Sequence, residues 1–509
     1  MNSDNKRIAK NTLILYCRTF ITMIVGIYTS RIMLEALGID NYGIITVVGG
    51  IVSFSAIITG AMSNSISRYL NFHNGRGQID RLKEVFATSI WVQILVTLAL
   101  IIFLETAGSW FLNTKANIPA GRLYATNWVL QFSILSIIVG IMRAPFEATI
   151  ISHEKMSIYA YIGLIDVILK LGICYLVLWF NGDKLILYSF LGMTVSFGIS
   201  IFYGVYCLKS FEEVCFKIHI DKNLLKEMTG FSGWSLLNNS SAILSTQGIG
   251  LIVNIFFGVA VNAARGVANT VNGCIQGFVV SFTVSFNPMI IKSYATGDYD
   301  YCYKLVNRSA KFTWLMLLVF IVPVCVEAKT LLHLWLIDVP PHATIFLQLS
   351  LFEILAVQVG NPLFKLIQAN GNIKRYSVEA SIWAGMTFPL TYLAFKLGAP
   401  IWSSYPIYIV IFFSLNIVRL RNLKTLTTYK VASFFSDVVK PCLLITIISF
   451  TLPICICLFV PPSLTRFFVL VPLSVVIVVL LIYLLGLDYG EKYFVTNKIK
   501  DTLIKFHLA

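Results

Sequence analysis

Charge is what these 509 residues have least of: only 12% are Asp, Glu, Lys or Arg, against about 25% in an ordinary soluble domain. With 57% hydrophobic residues and a mean hydropathy of +0.80, the chain has no stretch from which a sizeable water-soluble domain could be built, which excludes a tethered soluble enzyme. Acid is scarcer than base, 24 Asp plus Glu against 39 Lys plus Arg. The basic residues do not gather on one soluble face, so the net charge of +15 is no nucleic-acid footprint. No Gly-x-x-x-x-Gly-Lys-Ser/Thr run is present, so the chain carries no P-loop ATPase. Eight of the ten cysteines lie in apolar runs, Cys215 and Cys302 lie in basic loops, and no Cys-x-x-Cys pair occurs. The six histidines are scattered over loops and ends. Disulfides, structural zinc, a metal site and a bound cofactor are therefore not expected.

What is present is a succession of bilayer-length apolar runs, each of roughly 17 to 25 residues. They place fourteen helices near 8–30, 43–66, 86–112, 122–142, 157–180, 185–208, 230–257, 260–290, 309–337, 343–364, 376–396, 401–418, 438–460 and 466–487. Lys6, Arg7 and Lys10 before the first run outline a signal peptide, but Arg18 interrupts the run and no small-x-small cleavage site follows, so it is expected to be an uncleaved span. With the N-terminus cytoplasmic, 29 of the 39 basic residues fall on inner segments and eight on outer ones. The bias holds at every alternate loop and predicts both termini inside. Outer loops are then no longer than about a dozen residues, too short for the outer catalytic loop that a membrane polymerase or ligase commonly carries.

Leu37-Gly38 recurs as Phe257-Gly258, and Gly77-x-x-Asp80 as Gly297-x-x-Asp300, both at an offset of 220. Trp91 and Trp314, and Pro145 and Pro362, fall at similar spacing. The expected fold is an all-α integral membrane protein with two pseudo-symmetric six-helix lobes around a central cavity, plus two C-terminal helices, the usual plan of a transporter. The boundaries are 1–208 for the first lobe, 209–229 for a cytoplasmic linker and 230–418 for the second lobe. A cytoplasmic loop over 419–437, two appended helices over 438–487 and a tail over 488–509 complete the chain.

The eighth expected helix carries Asn262, Arg265, Asn269, Asn272 and Gln276 at spacings of 3, 4, 3 and 4. They share one face over about 20 Å, which cannot face lipid. The stripe is expected to wall a hydrated cavity, the alternative being hydrogen-bonding glue between helices. The seventh opposes it with Ser232, Ser235, Asn238, Ser241 and Ser245, and the first two add Arg18, Arg31, Ser55, Thr59 and Ser63. Arginine is always charged and offers a fork of donors, so Arg18, Arg31 and Arg265 are candidates for a pyrophosphate group; Arg31 also has Glu35 at i,i+4. Asp166 and Lys170, again i,i+4, favour a mutual ion pair. Glu353 has no sequence neighbour of opposite charge, and with Asp166 is a candidate ion-coupling carboxylate. Arg143 with Glu147, and Arg68, Lys292 and Lys365, stand at inner helix ends, suited to anchoring on anionic lipid or to first capture of an anionic head group.

Asn11-Thr12 through Arg31-Ile32, followed by Leu37-Gly38-Ile39-Asp40-Asn41-Tyr42-Gly43, resembles the opening of the polysaccharide-transporter branch of the multidrug/oligosaccharidyl-lipid/polysaccharide exporter superfamily, the O-antigen and capsule flippases. The second lobe departs from that element, with Phe257-Gly258 followed by Asn262-Ala263-Ala264-Arg265-Gly266, so an asymmetric site is expected. The resemblance implies translocation of an undecaprenyl-pyrophosphate-linked oligosaccharide across a bacterial cytoplasmic membrane by alternating access, without enzymatic chemistry. Arg18 and Arg265 would hold the phosphates and the amide stripe the sugar. Membrane lipids and a polysaccharide polymerase or ligase are the implied partners. The rivals are a cation-coupled drug antiporter of the same superfamily, which would need acidic rather than basic cavity groups, and a membrane glycan polymerase or ligase.

Overall fold

The computed structural model describes residues 3–55, 66, 69–70, 78–153, 155–214, 240–241, 243–284, 286–488, 490–493 and 496, with side chains from 18 onward except at 156, 280–282, 284 and 288. Among the described residues every regular element is helical, as the apolar runs require: in lipid only a helix satisfies its own backbone within one segment. The chain is a multi-pass membrane protein. Ten helices among the described residues are long and apolar enough to cross a bilayer.

The first helix, α1 (Ser3–Ser53), has 51 residues, about 77 Å at the helical rise and far more than one bilayer crossing. It is two spans joined at Gly38, whose φ of 77° breaks the helical run; only glycine adopts that backbone without strain. The same device closes α6 (Leu244–Phe257), where Gly258 has φ 81°. The two glycines read as a repeat from sequence thus share a backbone conformation. Gly297 also has positive φ; its partner Gly77 lies outside the described residues.

Between these junctions run α2 (Ile79–Thr114, with a π turn over Leu104–Gly108), α3 (Leu123–Ser152), α4 (Met156–Trp179) and α5 (Lys184–Ser210). Then follow α7 (Val259–Val284), α8 (Asn287–Ala295), α9 (Tyr299–Val326), α10 (Ala328–Trp335), α11 (Ala343–Gln358) and α12 (Asn361–Asn370). The chain continues through α13 (Lys374–Gly385), α14 (Thr387–Lys396), α15 (Ser404–Leu426), α16 (Val431–Phe459) and α17 (Leu464–Gly486). Several helices outrun the apolar limits: α2 starts at Ile79 rather than 86 and α3 ends at Ser152 rather than 142. Helical hydrogen bonding continues through polar turns beyond the apolar layer, and hydropathy marks only that layer. The expected span at 230–257 lies partly outside the described residues, α6 being its described end, and those at 260–290 and 376–396 correspond to α7 and to α13 with α14, which are too short or too polar to count among the ten. In α7 the amide stripe itself lowers the hydropathy.

The chain divides into two compact units, one of Met1–Val271, Leu336–Ala343 and Ala380–Tyr408, the other of Asn272–Trp335, Thr344–Glu379 and Ile409–Ala509. In the first, α1, α2, α3, α5 and the start of α7 enclose a core of Ile44, Val48, Ile51, Leu104, Leu112, Val129, Leu130 and Val259. A second core joins Phe86, Ile150, Ile162, Ile199 and Tyr203. The loop before α3 pins both glycine junctions. Arg122 donates to the Asn41 side chain at 2.7 and 2.9 Å and pairs with Asp183 at 3.0 Å, and the Asn117 N–H donates to Asn254 Oδ1 at 2.9 Å. In the second unit α9 is the most deeply packed of the ten spans, and α16 and α17 lie against it.

Candidate functional site

The first unit holds its charged groups at membrane depth in two places. On α1, half-buried Arg18 stacks 4.5 Å from the Tyr159 ring of α4. A Cβ on Gly163, one turn along, would stand 2.5 Å from Arg18 Nε and Nη2, so glycine is what admits the guanidinium. The buried Arg18 Nε has no hydrogen-bond partner among the described residues. Asp166 and Lys170, further along α4, form the expected ion pair at 2.8 Å. On α3, Arg143 Nε lies 2.8 Å from Glu147 Oε1, and Glu147 is within electrostatic range of Arg18 and Asp166. Glu147 and Lys170 line a cavity of about 530 Å³ between α1, α3, α4 and α5, together with Ser133, Ser136, Ser189, Ser196 and Tyr188. That volume is in the range of small-molecule sites. The walls offer hydroxyl groups and one charge of each sign.

The second place lies where α7 meets α1 and α6. A Cβ on Gly43 would stand 2.0 Å from the Val259 carbonyl oxygen, and one on Gly266 2.9 Å from Thr46 Oγ1; these glycines let the helices touch. Against this contact Arg265 is buried at 5% exposure and Asn262 at 1%. Arg265 Nη2 donates to the Thr246 carbonyl at 3.2 Å, and its guanidinium stands 5.4 Å from the Tyr405 ring. Neither amide atom of Asn262 has a partner among the described residues. Arg265 Nε and Asn262 Oδ1 both lie 4.0 Å from where a Cβ on Gly250 would be, so donor and acceptor converge on a place that glycine leaves open. Buried polar groups are nearly always hydrogen-bonded; a polar ligand or water bound there would meet that need.

The remaining candidates scatter. Asn269 and Gln276 are exposed, and Asn272 Nδ2 donates to the Ser350 carbonyl at 3.1 Å, the helix-to-helix role weighed for the stripe. Arg31 is half-buried and forms no ion pair with Glu35 among the described residues. Glu353 is half-buried in α11 and engaged with neighbours. Asn238 lies outside the described residues. No group of three His, Cys, Asp or Glu suited to a metal occurs among the described residues. The sequence reading missed Tyr159, Gly163 and Tyr405. A signal for the first two existed: Tyr159, Gly163, Asp166 and Lys170 are spaced 4, 3 and 4, one polar and small face on α4.

The fold is shared with solved structures of transporters. The structure matches a lipid II flippase, MurJ, in an inward closed conformation, with a TM-score of 0.70 and 13% identity over 92% of this chain and 98% of that one. It matches an inward-facing multidrug resistance MATE transporter of the MOP superfamily with a TM-score of 0.64 and 10% identity, over 79% and 95% of the two chains. Among curated proteins, the uncharacterized membrane protein EpsK of Bacillus subtilis (strain 168) is 18% identical over 306 residues, 58% of this chain and 59% of that protein. No protein-family model matches the chain.

Proposed function

We propose that the protein is a flippase moving undecaprenyl-pyrophosphate-linked oligosaccharide repeat units from the inner to the outer leaflet of the bacterial cytoplasmic membrane, by alternating access, for O-antigen or capsule synthesis. The observation that carries this reading is the pair of interior guanidinium groups, Arg18 and Arg265, each set against a tyrosine ring and neither in an ion pair with a described carboxylate, in a fold shared with a lipid II flippase. An arginine held in low dielectric with no carboxylate in direct contact favours an anion strongly, and its fork of donors suits phosphate. In this reading Arg18, Arg31 and Arg265 hold pyrophosphate, and Asn262, Asn269, Asn272, Gln276 and Asn238 contact sugar. Glu353 is the coupling carboxylate; Asp166 serves only when its pair with Lys170 opens. A polymerase or ligase receives the product.

Proteoliposomes loaded with a fluorescent undecaprenyl-pyrophosphate oligosaccharide test the reading. Protein should raise the fraction cleaved by an impermeant glycosidase, and Arg18→Ala and Arg265→Ala should abolish the gain. Unchanged flipping by both variants removes the anion site. No flipping by folded protein under any imposed ion gradient, with gradient-driven efflux of a cationic dye instead, transfers the assignment to a drug antiporter. One observation favours that second reading: Glu147 lines the cavity of the first unit.

A further inference from the structure

The second unit contains a cavity that the flippase reading does not use. It has about 560 Å³ and is lined by Lys304, Asn307, Arg308 and Lys311 of α9, by Ser436, Asp437 and Pro441 of α16, and by Leu485, Gly486 and Asp488 at the end of α17. The cavity occupies the first turns of α9, the first turns of α16 and the last turn of α17. Three spans therefore present their ends to it on one face of the membrane, which puts it at head-group depth.

Its charges are of both signs and divided. Lys311 is internally neutralised: its ammonium, in a side chain 6% exposed, meets Glu491 at 2.8 Å and Asp488 at 3.5 Å. Asp437 instead accepts only from neutral groups, Asn307 Nδ2 at 3.2 Å and Ser436 Oγ at 2.7 Å, with no cation in ion-pair range among the described residues. Asn307 is itself fixed, accepting from the Tyr429 hydroxyl. Burial pushes the Tyr429 phenol up from its ordinary value, so the hydroxyl keeps its proton and remains the donor. On either side of Asn307, Lys304 has no carboxylate partner among the described residues. Arg308, 45% exposed, uses only Nε, at 3.2 Å from Glu491. The two stand one turn apart, about 6 Å along α9, and Asn307 of the same stretch holds the carboxylate of Asp437 in the cavity they line. An anion-only site would not carry that carboxylate, and a cation-only site would not carry the lysine and arginine.

We propose that this cavity binds a phosphoethanolamine zwitterion, as the head group of an aminophospholipid of the adjacent leaflet, with its ammonium on Asp437 and its phosphate on Lys304 and Arg308. Charge-assisted hydrogen bonds at both ends select it over head groups of a single charge, and a primary ammonium donates to the carboxylate where a quaternary one cannot.

Native mass spectrometry of the full-length, delipidated protein tests this, with POPE, POPC and POPG added at equal concentration and soluble glycerophosphoethanolamine as a separate arm. The expected result is retention of POPE about tenfold above POPC and POPG, a difference of about 1.4 kcal/mol. The preference should be lost in Asp437→Asn and kept in Asp437→Glu, and Lys304→Met, at an exposed position, should weaken POPE binding. Equal retention of POPG by the parent overturns the proposal, as does an unchanged preference in Asp437→Asn. Binding of glycerophosphoethanolamine as strong as that of POPE overturns the lipid assignment. Should Asp437→Asn fail to fold, Lys304→Met decides: unaltered POPE retention in that variant overturns the proposal.

Discussion

Arg466 and Lys311 of the second unit and Arg18 and Arg265 of the first are met in opposite ways. In the second, Arg466 meets Glu327 at 2.7 Å with side chains 8% and 1% exposed, and Lys311 is closed in by Glu491 and Asp488. In the first, Arg18 and Arg265 face tyrosine rings and receive no such carboxylate. A buried ion pair holds structure together, whereas an interior guanidinium with no carboxylate in contact has an unmet electrostatic demand that a phosphate meets. Arg419 of the second unit is intermediate: it is buried, donating at 2.8 Å to the Tyr376 hydroxyl and at 2.8 Å to Asn416 Oδ1.

Five single substitutions sharpen the contrast. Glu327→Gln should act most strongly, costing about 3–5 kcal/mol because it leaves Arg466 buried and uncompensated. Thermal unfolding in detergent measures it, and replacing both partners, Glu327→Leu with Arg466→Met, should recover most of the loss. Gly360→Ala comes next. Its Cβ would stand 1.8 Å from Asn416 Oδ1 and 2.0 Å from Arg419 Nη1, and forcing that contact apart should cost about 1–3 kcal/mol. Arg265→Met and Arg18→Met should leave stability unchanged or raised by about 1 kcal/mol, since a cation is removed without leaving a carboxylate unpaired, while transport is lost. A large fall in Tm for either would place these arginines with the structural ion pairs of the second unit. Asp166→Asn should have the smallest effect, below about 1 kcal/mol, since Lys170 is 48% exposed and lines the cavity of the first unit.

Much of this was legible beforehand. The Asp166 and Lys170 spacing predicted their ion pair, and Gly38 and Gly258, which the sequence marks only as a recurring element, prove to share a positive-φ backbone that favours glycine in both copies. The α7 stripe was read as one surface, yet its members have separate fates: Asn262 and Arg265 are buried in the first unit, Asn272 bonds a backbone carbonyl in the second, and Asn269 and Gln276 are exposed. Helical spacing fixes which residues share a face. It does not say which neighbour each stretch of that face meets.

Composition and periodicity by themselves determined that the chain is helical and crosses a membrane many times, because lipid leaves few ways to satisfy a backbone and hydropathy reports lipid contact directly. Only the tertiary structure decided which charges are neutralised. Arg466 and Glu327 are 139 residues apart and Lys311 and Glu491 180 apart, while Arg18 and Tyr159 meet across α1 and α4. An ion pair is decided at a few ångströms, and no local pattern in sequence carries that distance.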